Sequence, residues 1–353
     1  MANGVTNHKH LKEYYGRVLQ STADLKTNAC CCAGNGLSAA AKEALAQIDD
    51  EVLTRFFGCG SPIPPLLDGL TVLDLGCGAG RDAYIASRLV GPSGSVIGVD
   101  MTEAQLDVAV RHLPSQMNRF GYAAPNVDFR HGYVEDLARV GITDASVDVV
   151  ISNCVLNLAS DKATVFAEIF RVLKPGGELY FSDVFAGRRV PEEFRDDPVL
   201  HGECMAGALY REDFRRLLRD FGCMDHRVVS SRPIEIGSPE IEAKIGMVDF
   251  YSVTVRAFKL DTLEDICEDY GQNAVYHGSI PEHLHFFDLD DHHRFFANKP
   301  MLVCGNTAAM LQETRYGAHF DVHGDRSRHF GPFACGPSFG KIREESGSGG
   351  ACC

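Results

Sequence analysis

The sequence lacks any apolar run long enough to cross a lipid bilayer. Its first residues are polar and contain no apolar signal core, so we expect a cytoplasmic protein with no membrane partner. Basic residues are scarce, since 34 Lys and Arg stand against 48 Asp and Glu, a formal net charge of −14. This balance argues against a protein that covers nucleic-acid phosphates. We expect a monomer without a nucleic-acid partner.

A Cys-x-x-Cys pair is also absent, although the chain contains 13 cysteines. Zinc ribbons and thioredoxin-like motifs are therefore disfavoured. Without a secretory signal, structural disulfides are disfavoured as well. The cysteines are spread along the chain, so a thiol site must be assembled from distant parts of the fold. They occupy positions 30, 31, 32, 59, 77, 154, 204, 223, 267, 304, 335, 352 and 353.

The stretch from Thr71 to Gly80 predicts a buried parallel strand followed by a glycine turn. It contains Asp74 and three glycines, Gly76, Gly78 and Gly80. Glycines let the backbone approach a ligand closely. The third glycine comes two residues after the second, and Arg81 follows it. This departs from the dinucleotide fingerprint and favours S-adenosylmethionine over a nicotinamide cofactor.

Strands and helices alternate after this turn. Strands are predicted over 95–99, 127–130, 147–152, 178–183, 228–236 and 248–259, and helices over 81–90, 161–173 and 211–221. This alternation predicts an α/β fold with a doubly wound, mostly parallel sheet. Before the glycine turn, apolar spacing from Leu37 to Phe56 predicts one helix that ends at Gly58. Thr102 is predicted to open a helix through a capping box.

Candidate site residues follow the strands. Asp100 lies about twenty residues beyond the glycine turn, where an acid binds ribose hydroxyls, and 132–136 follows the third strand, where such folds contact adenine. Cys154 ends the fourth strand and should face the ligand, because ligands bind outside the carboxyl ends of parallel strands. A lone thiol there is most often a small buried hydrophobe. However, the stretch 185–210 has the length of a lid or substrate wall and carries Cys204.

Several thiols around a methyl donor indicate a soft, thiophilic acceptor. Trivalent arsenic bound by sulfur keeps a lone pair that can attack a sulfonium methyl without a general base. Neighbouring thiols can return the electrons that arsenic loses, by forming a disulfide. Two alternatives stay open: a thiol-rich metalloid-binding protein without turnover, and a methyltransferase for an organic acceptor in which the cysteines are structural.

The motifs resemble those of the arsenite methyltransferase family from about residue 14 to 259, and more weakly to about 320. The matching segments are Tyr14-Tyr15-Gly16, 24–30, Phe57-Gly58-Cys59-Gly60, 73–82, 98–102, 131–135, 152–158, 177–184, Gly202-Glu203-Cys204 and 207–210. The resemblance implies a class I S-adenosylmethionine-dependent methyltransferase fold with a smaller C-terminal α+β domain.

The resemblance also implies roles for particular residues. Cys154 and Cys204 would hold trivalent arsenic, and Cys59 and Cys30 would join arsenite binding and a disulfide relay. Thioredoxin or glutathione would regenerate the thiols, and methylated trivalent arsenicals would be further substrates. Because Cys31 and Cys32 extend the usual single cysteine, the relay thiol among the three stays open. Cofactor contacts are implied at Asp74, Gly76, Gly78, Gly80, Asp100, Met101, Val134, Glu135, Asn153 and Val155.

We predict four parts of the chain: an N-terminal cap with arsenic-site cysteines over 1–70, a methyltransferase domain over 71–259, a smaller domain over 260–340, and a flexible Gly/Ser tail over 341–353. The arsenic-binding insert lies at 185–210, and the tail ends in Cys352 and Cys353. The remaining cysteines are expected to be small or packing residues: Cys77, Cys223, Cys267, Cys304 and Cys335. The histidines at 283–293 are expected to be solvated rather than metal-binding.

Overall fold

The computed structural model describes residues 11, 12, 14, 36–236 and 238–335. The predictions on Tyr15, on Cys30 to Cys32 and on the tail with Cys352 and Cys353 lie outside these residues.

An eight-stranded sheet forms the centre of the molecule. Its strands are β1 Thr71–Leu75, β2 Ser95–Asp100, β3 Val127–His131, β4 Val147–Asn153, β5 Leu173–Ala186, β6 Leu209–Tyr210, β7 His226–Pro233 and β8 Phe250–Phe258. The order is β3-β2-β1-β4-β5-β8-β7, with β6 beside β5. Strands β1 to β6 pair in parallel, and β8 pairs antiparallel with β5 and β7. The predicted mostly parallel α/β fold is confirmed.

Helices cover both faces of this sheet, which explains its near-continuous apolar strands. The helices of the described residues are α1 Ala39–Leu45, α2 Asp50–Thr54, α3 Arg81–Val90, α4 Glu103–Phe120, α5 Lys162–Val172, α6 Pro198–Gly202, α7 Arg211–Asp220, α8 Pro239–Ile245 and α9 Gly305–Gln312, of which α9 lies in the C-terminal part. Alternate residues of β1 point to opposite faces. Leu73 packs in the cluster that contains α5 residues, and Val72 packs in the one that contains α3 residues.

Two local predictions are wrong. The single helix over Leu37 to Phe56 is two helices, α1 and α2, because the Asp49 carboxylate accepts a hydrogen bond from Glu51 N (3.1 Å) and starts a new helix. Thr102 does precede α4, but its side chain makes no capping bond. Asp100 Oδ1 accepts from Thr102 N instead, at 2.7 Å.

The C-terminal part contains small sheets and one helix, in line with the predicted α+β character. Its strands are β9 Glu268–Asp269, β10 Asn273–Tyr276, β11 Phe286–Asp288, β12 Arg294–Phe296, β13 Pro300–Leu302, β14 Phe320–His323 and β15 Gly331–Pro332. A buried ion-pair group joins this part to the sheet: Glu178 of β5 pairs with Arg256 of β8 (2.8 Å) and with Arg315. Within the described residues, no helix is long and apolar enough to cross a membrane.

Candidate active site

A cleft of about 1000 Å³, open mouth included, lies at the carboxyl ends of β1, β2 and β4. Most of the predicted cofactor residues line it: Asp74, Gly76, Gly78, Asp100, Met101, Val134, Glu135, Asn153 and Val155. Gly80 does not line the cleft. It precedes α3, and a Cβ there would meet the Phe129 ring at 2.9 Å.

The glycine turn is tied to the end of β2. Gly78 N donates to Asp100 Oδ2 at 2.8 Å, and Gly76 N donates to Val99 O at 2.8 Å. Gly76 has φ +69, and a Cβ at this position would lie 2.2 Å from the Val155 side chain. The turn therefore needs glycine at position 76, because the residue has a positive φ and because its backbone lies close to the Val155 side chain.

Asp74 carries a buried carboxylate on the cleft wall. Its Oδ2 has no hydrogen-bond partner among the described residues. Burial, together with Asp82 and Asp100 nearby, raises the pKa of Asp74 well above its usual range. A cationic ligand group would relieve this arrangement. The cleft therefore fits S-adenosylmethionine, which carries ammonium and sulfonium charges.

Three of the predicted cysteines meet beside the end of β4. Cys59 and Cys154 form a disulfide, and Cys204 Sγ donates a hydrogen bond to Cys154 O at 3.2 Å. Cys154 has φ +57 and Cys204 has φ +65. Non-glycine residues rarely adopt this left-handed conformation, and such strain concentrates at functional sites. Cys154 also lines the cleft, so the thiols border the place where the cofactor fits.

Asn153 holds the Cys59 segment against the sheet. Its side-chain Oδ1 accepts from Gly60 N (3.1 Å), while Nδ2 donates to Gly60 O (3.0 Å) and to Asp82 Oδ2 (2.8 Å). Ser252 Oγ of β8 donates to Cys59 O at 2.8 Å. Asn153, which we predicted to contact the cofactor, therefore also positions the segment that carries Cys59.

The insert between β5 and α7 brings Cys204 to the site. Its helix α6 is capped by Asp197, whose Oδ1 accepts from Val199 N (2.9 Å) and Leu200 N (3.1 Å). Gly207 then packs against the segment that follows Cys154, where a Cβ would lie 2.0 Å from Asn157 O. The insert therefore forms a wall of the site.

Sequence reasoning missed Asp183. This residue is fully buried near the end of β5, and a carboxylate oxygen lies within 4.8 Å of the Cys59 and Cys154 sulfurs. Asn157 Nδ2 (2.8 Å) and Val184 N (2.8 Å) donate to it. Burial raises the pKa of Asp183 to about 7. The available signal was an acid at the end of the apolar stretch of β5, where ligands of parallel sheets bind.

In the C-terminal part, one feature was not foreseen and one expectation is wrong. Cys267, Cys304 and Cys335 were expected to be packing thiols, and their sulfurs lie within 4.8 Å of one another. His293 is buried rather than solvated, and its Nδ1 pairs with Asp290 at 2.7 Å. Arg227 Nη1 also forms an ion pair with Asp290, at 3.3 Å. The negative charge of the Asp290 carboxylate is therefore balanced without a metal ion. Cys223 is a buried packing thiol, as predicted.

Known proteins share both halves of this architecture. Residues 66–222 match the family described as "Methyltransferase domain", and 270–343 match the "Arsenite methyltransferase C-terminal domain". The chain is 54% identical over 330 residues to an arsenite methyltransferase of Aquipseudomonas alcaligenes, covering 93% of this chain and 94% of that one. It is 42% identical over 315 residues to the arsenite methyltransferase of Mus musculus, covering 89% and 82%. A crystal structure of an arsenic(III) S-adenosylmethionine methyltransferase from Chlamydomonas reinhardtii superposes with a TM-score of 0.81 at 52% identity, covering 84% of this chain and 100% of that one.

Proposed function

The chain belongs to the arsenite methyltransferase family, and from this premise we propose that Cys59, Cys154 and Cys204 bind the arsenic that it methylates. The enzyme transfers methyl groups from S-adenosylmethionine to trivalent arsenic. The observation that supports the assignment of the three thiols is their convergence on the end of β4, beside the cleft. Thiolates are the ligands that soft centres prefer.

S-adenosylmethionine, when bound, supplies an electrophilic sulfonium methyl group. The glycine turn gives it a close-fitting backbone, and Asp74 offers a carboxylate to its positive charge. Asp100 receives the ribose hydroxyls while it holds the turn in place through Gly78 N. The wall formed by 187–210 keeps water from the methyl group.

The proposed chemistry balances within the site. Arsenic held by Cys154 and Cys204 donates its lone pair to the methyl carbon, an As–C bond forms, and the S–CH₃ bond of the donor breaks. Arsenic thereby becomes formally pentavalent. The Cys59 thiolate then attacks the Cys154 sulfur, the S–S bond forms, and the As–S bond to Cys154 breaks. The electron pair of that bond passes to arsenic, which returns to the trivalent state on Cys204. No general base is needed, because the attacking atom carries no proton.

We assign the disulfide relay to Cys59 and Cys154, with Cys30 as the thiol that exchanges with them. The Cys59–Cys154 bond supports this assignment as the oxidised state of the relay. Thioredoxin or glutathione then reduces the disulfide, and methylated trivalent arsenicals enter as further substrates. The enzyme acts as a cytoplasmic monomer in this proposal.

The test is speciation of arsenic after the protein is incubated with arsenite, S-adenosylmethionine and a thiol reductant. We expect methylated arsenicals from the wild type and from Cys223→Ser, which removes a buried thiol outside the cleft. Cys154→Ser and Cys204→Ser should lose this activity. Arsenite binding without methyl transfer would instead indicate a sequestering protein. Near-normal turnover in Cys154→Ser would indicate that the cysteines are structural.

A further inference from the structure

The C-terminal part contains a second group of converging thiols, formed by Cys267, Cys304 and Cys335, here called the distal thiol group. Their three sulfur atoms all lie within 4.8 Å of one another. None of them is among the residues that line the cleft. Three free thiols at this separation can bind one small ion together.

The fold brings the distal thiol group together through three different elements. Cys267 directly precedes β9, and Cys335 follows β15, its antiparallel partner. Phe333 N donates to Cys267 O at 2.8 Å, which fixes the register of the two ends. Cys304 sits at the start of α9, where its Sγ accepts from Thr307 N at 3.4 Å. The thiols are thus held by backbone contacts and do not depend on one flexible loop.

The surroundings of Cys304 favour a thiolate. Arg227 Nη2 approaches its sulfur at 3.9 Å, and the start of α9 adds the positive end of a helix dipole. Cys304 is buried, whereas Cys267 and Cys335 are half-buried. A small solute can therefore reach the group from the side of these two sulfurs.

We propose that the distal thiol group is a second binding site for trivalent arsenic, separate from the site of methyl transfer. Three sulfur ligands match an ion that binds three thiolates and keeps a lone pair. A structural zinc site needs four protein ligands, and no fourth Cys, His or acid joins this group among the described residues. Soft thiolates without oxygen or nitrogen ligands also disfavour harder cations.

Binding requires no redox partner. Arsenous acid, As(OH)₃, exchanges its three As–O bonds for three As–S bonds. The three hydroxides leave as water with the protons of the Cys267 and Cys335 thiols and one proton from solvent, because Cys304 reacts as a thiolate; arsenic stays trivalent. The neutral product ties β9, β15 and α9 together, so arsenite should stabilise the C-terminal part by mass action.

The test uses the full-length chain with the other candidate arsenic ligands removed. The background carries C30S, C31S, C32S, C59S, C154S, C204S, C352S and C353S. We expect it to bind one arsenite per chain, with three sulfur neighbours by arsenic X-ray absorption, and to melt at a higher temperature with arsenite. Adding Cys335→Ser should abolish stoichiometric binding and the thermal shift, whereas adding Cys223→Ser should leave both unchanged.

Several results would overturn the inference: no arsenite retained by the background, arsenic with fewer than three sulfur neighbours, equal binding after Cys335→Ser, or displacement of arsenite by equimolar Zn²⁺. Circular dichroism of Cys335→Ser separates lost binding from lost folding, because this half-buried residue follows the last strand. In the otherwise wild-type chain, Cys335→Ser should keep arsenite methylation. Loss of that activity would show that the two sites are not separate.

Discussion

At the scale of single residues, Asn153 controls the position of a thiol. Its side chain makes two hydrogen bonds with Gly60 and one with Asp82. We expect Asn153→Ala to reduce the free energy of unfolding by about 1–3 kcal/mol, because buried partners lose their hydrogen bonds. In the reduced protein, Cys59 should also react faster with an alkylating reagent.

Urea unfolding and mass spectrometry of alkylated peptides measure these two effects. Asn118→Ala, at an exposed position of α4, is the matched control and should change neither. Equal Cys59 reactivity in Asn153→Ala and wild type would contradict the positioning role.

His226 gives the fold a pH dependence. Burial, and to a lesser extent Arg227 and Arg215, lower the pKa of His226 from 6.5 to about 4, although Asp225 opposes this. Between pH 6.5 and about 4, the unfolded chain therefore binds more protons at this histidine than the folded protein does. The free energy of unfolding consequently falls as the pH falls through this range. We expect His226 to contribute a loss of roughly 1–2 kcal/mol between pH 7.5 and 5.

Chemical denaturation at several pH values measures this contribution as the difference between wild type and His226→Gln. The neutral variant should lose less stability on acidification. Parallel stability curves for the two proteins would rule out this role of His226.

From the sequence, we could place residues together when each follows the end of a neighbouring parallel strand. Gly76, Gly78 and Asp100 line one cleft, as their positions at the carboxyl ends of neighbouring parallel strands led us to expect. Their roles in cofactor binding stay a prediction. Asp183 was missed because its raised pKa results from burial in the folded protein, and no spacing of residues in the sequence indicates this. The distal thiol group was missed because its members stand far apart in the chain, so no motif marks them.

At the scale of elements, the insert between β5 and α7 must contact the segment after β4. Gly207→Ala would place a Cβ 2.0 Å from Asn157 O and push the insert, with Cys204, away from Cys154. We expect arsenite methylation to fall about 100-fold, because small displacements of reacting groups have effects of this size. S-adenosylmethionine binding, measured by calorimetry, should stay intact.

Gly187→Ala is the matched control in the same insert. A Cβ there meets its nearest atom at 3.6 Å, an ordinary contact, so turnover should match wild type. The proposed coupling fails if Gly207→Ala turns over arsenite as fast as Gly187→Ala.

Glu178 of β5 is a buried acid that forms an ion pair with β8. Its carboxylate contacts Arg256 and Arg315, and all three side chains are largely shielded from solvent. We expect Arg256→Met to lower the free energy of unfolding by about 3–5 kcal/mol, because it leaves a buried charge short of a partner. Thermal or urea unfolding measures the loss.

Arg294→Met removes an exposed pair with Asp288 and should lower stability by less than about 1 kcal/mol. Equal effects of the two substitutions would show that the buried Glu178–Arg256 pair contributes no more to stability than an exposed pair.

The sequence predicted the central strands well, but it predicted less well where strands end and where a helix is interrupted. Strand β5 is longer than predicted because its first residue, Leu173, pairs with β4 and its last residues, up to Ala186, pair with β8. The break between α1 and α2 was missed because apolar spacing continues across it, although Asp49 is a capping residue type.

For the molecule as a whole, the alternation of strands and helices was sufficient to predict the fold class, because few topologies bury both faces of a parallel sheet. The assignment of domain limits near residues 70 and 259 stays a prediction. The resemblance of separate cysteine segments predicted the activity, since chemistry depends on which side chains the fold brings together.

The central claim is that arsenic is methylated on the three thiols around Cys154 and that these thiols supply the electrons. A single-turnover measurement with fully reduced enzyme, arsenite and S-adenosylmethionine, without any added reductant, tests it most directly. We expect at most one methyl group per chain, with a disulfide that includes Cys59 formed in equal amount, detected by mass spectrometry. Repeated turnover without reductant, or methyl transfer while Cys59 stays a free thiol, would contradict the account.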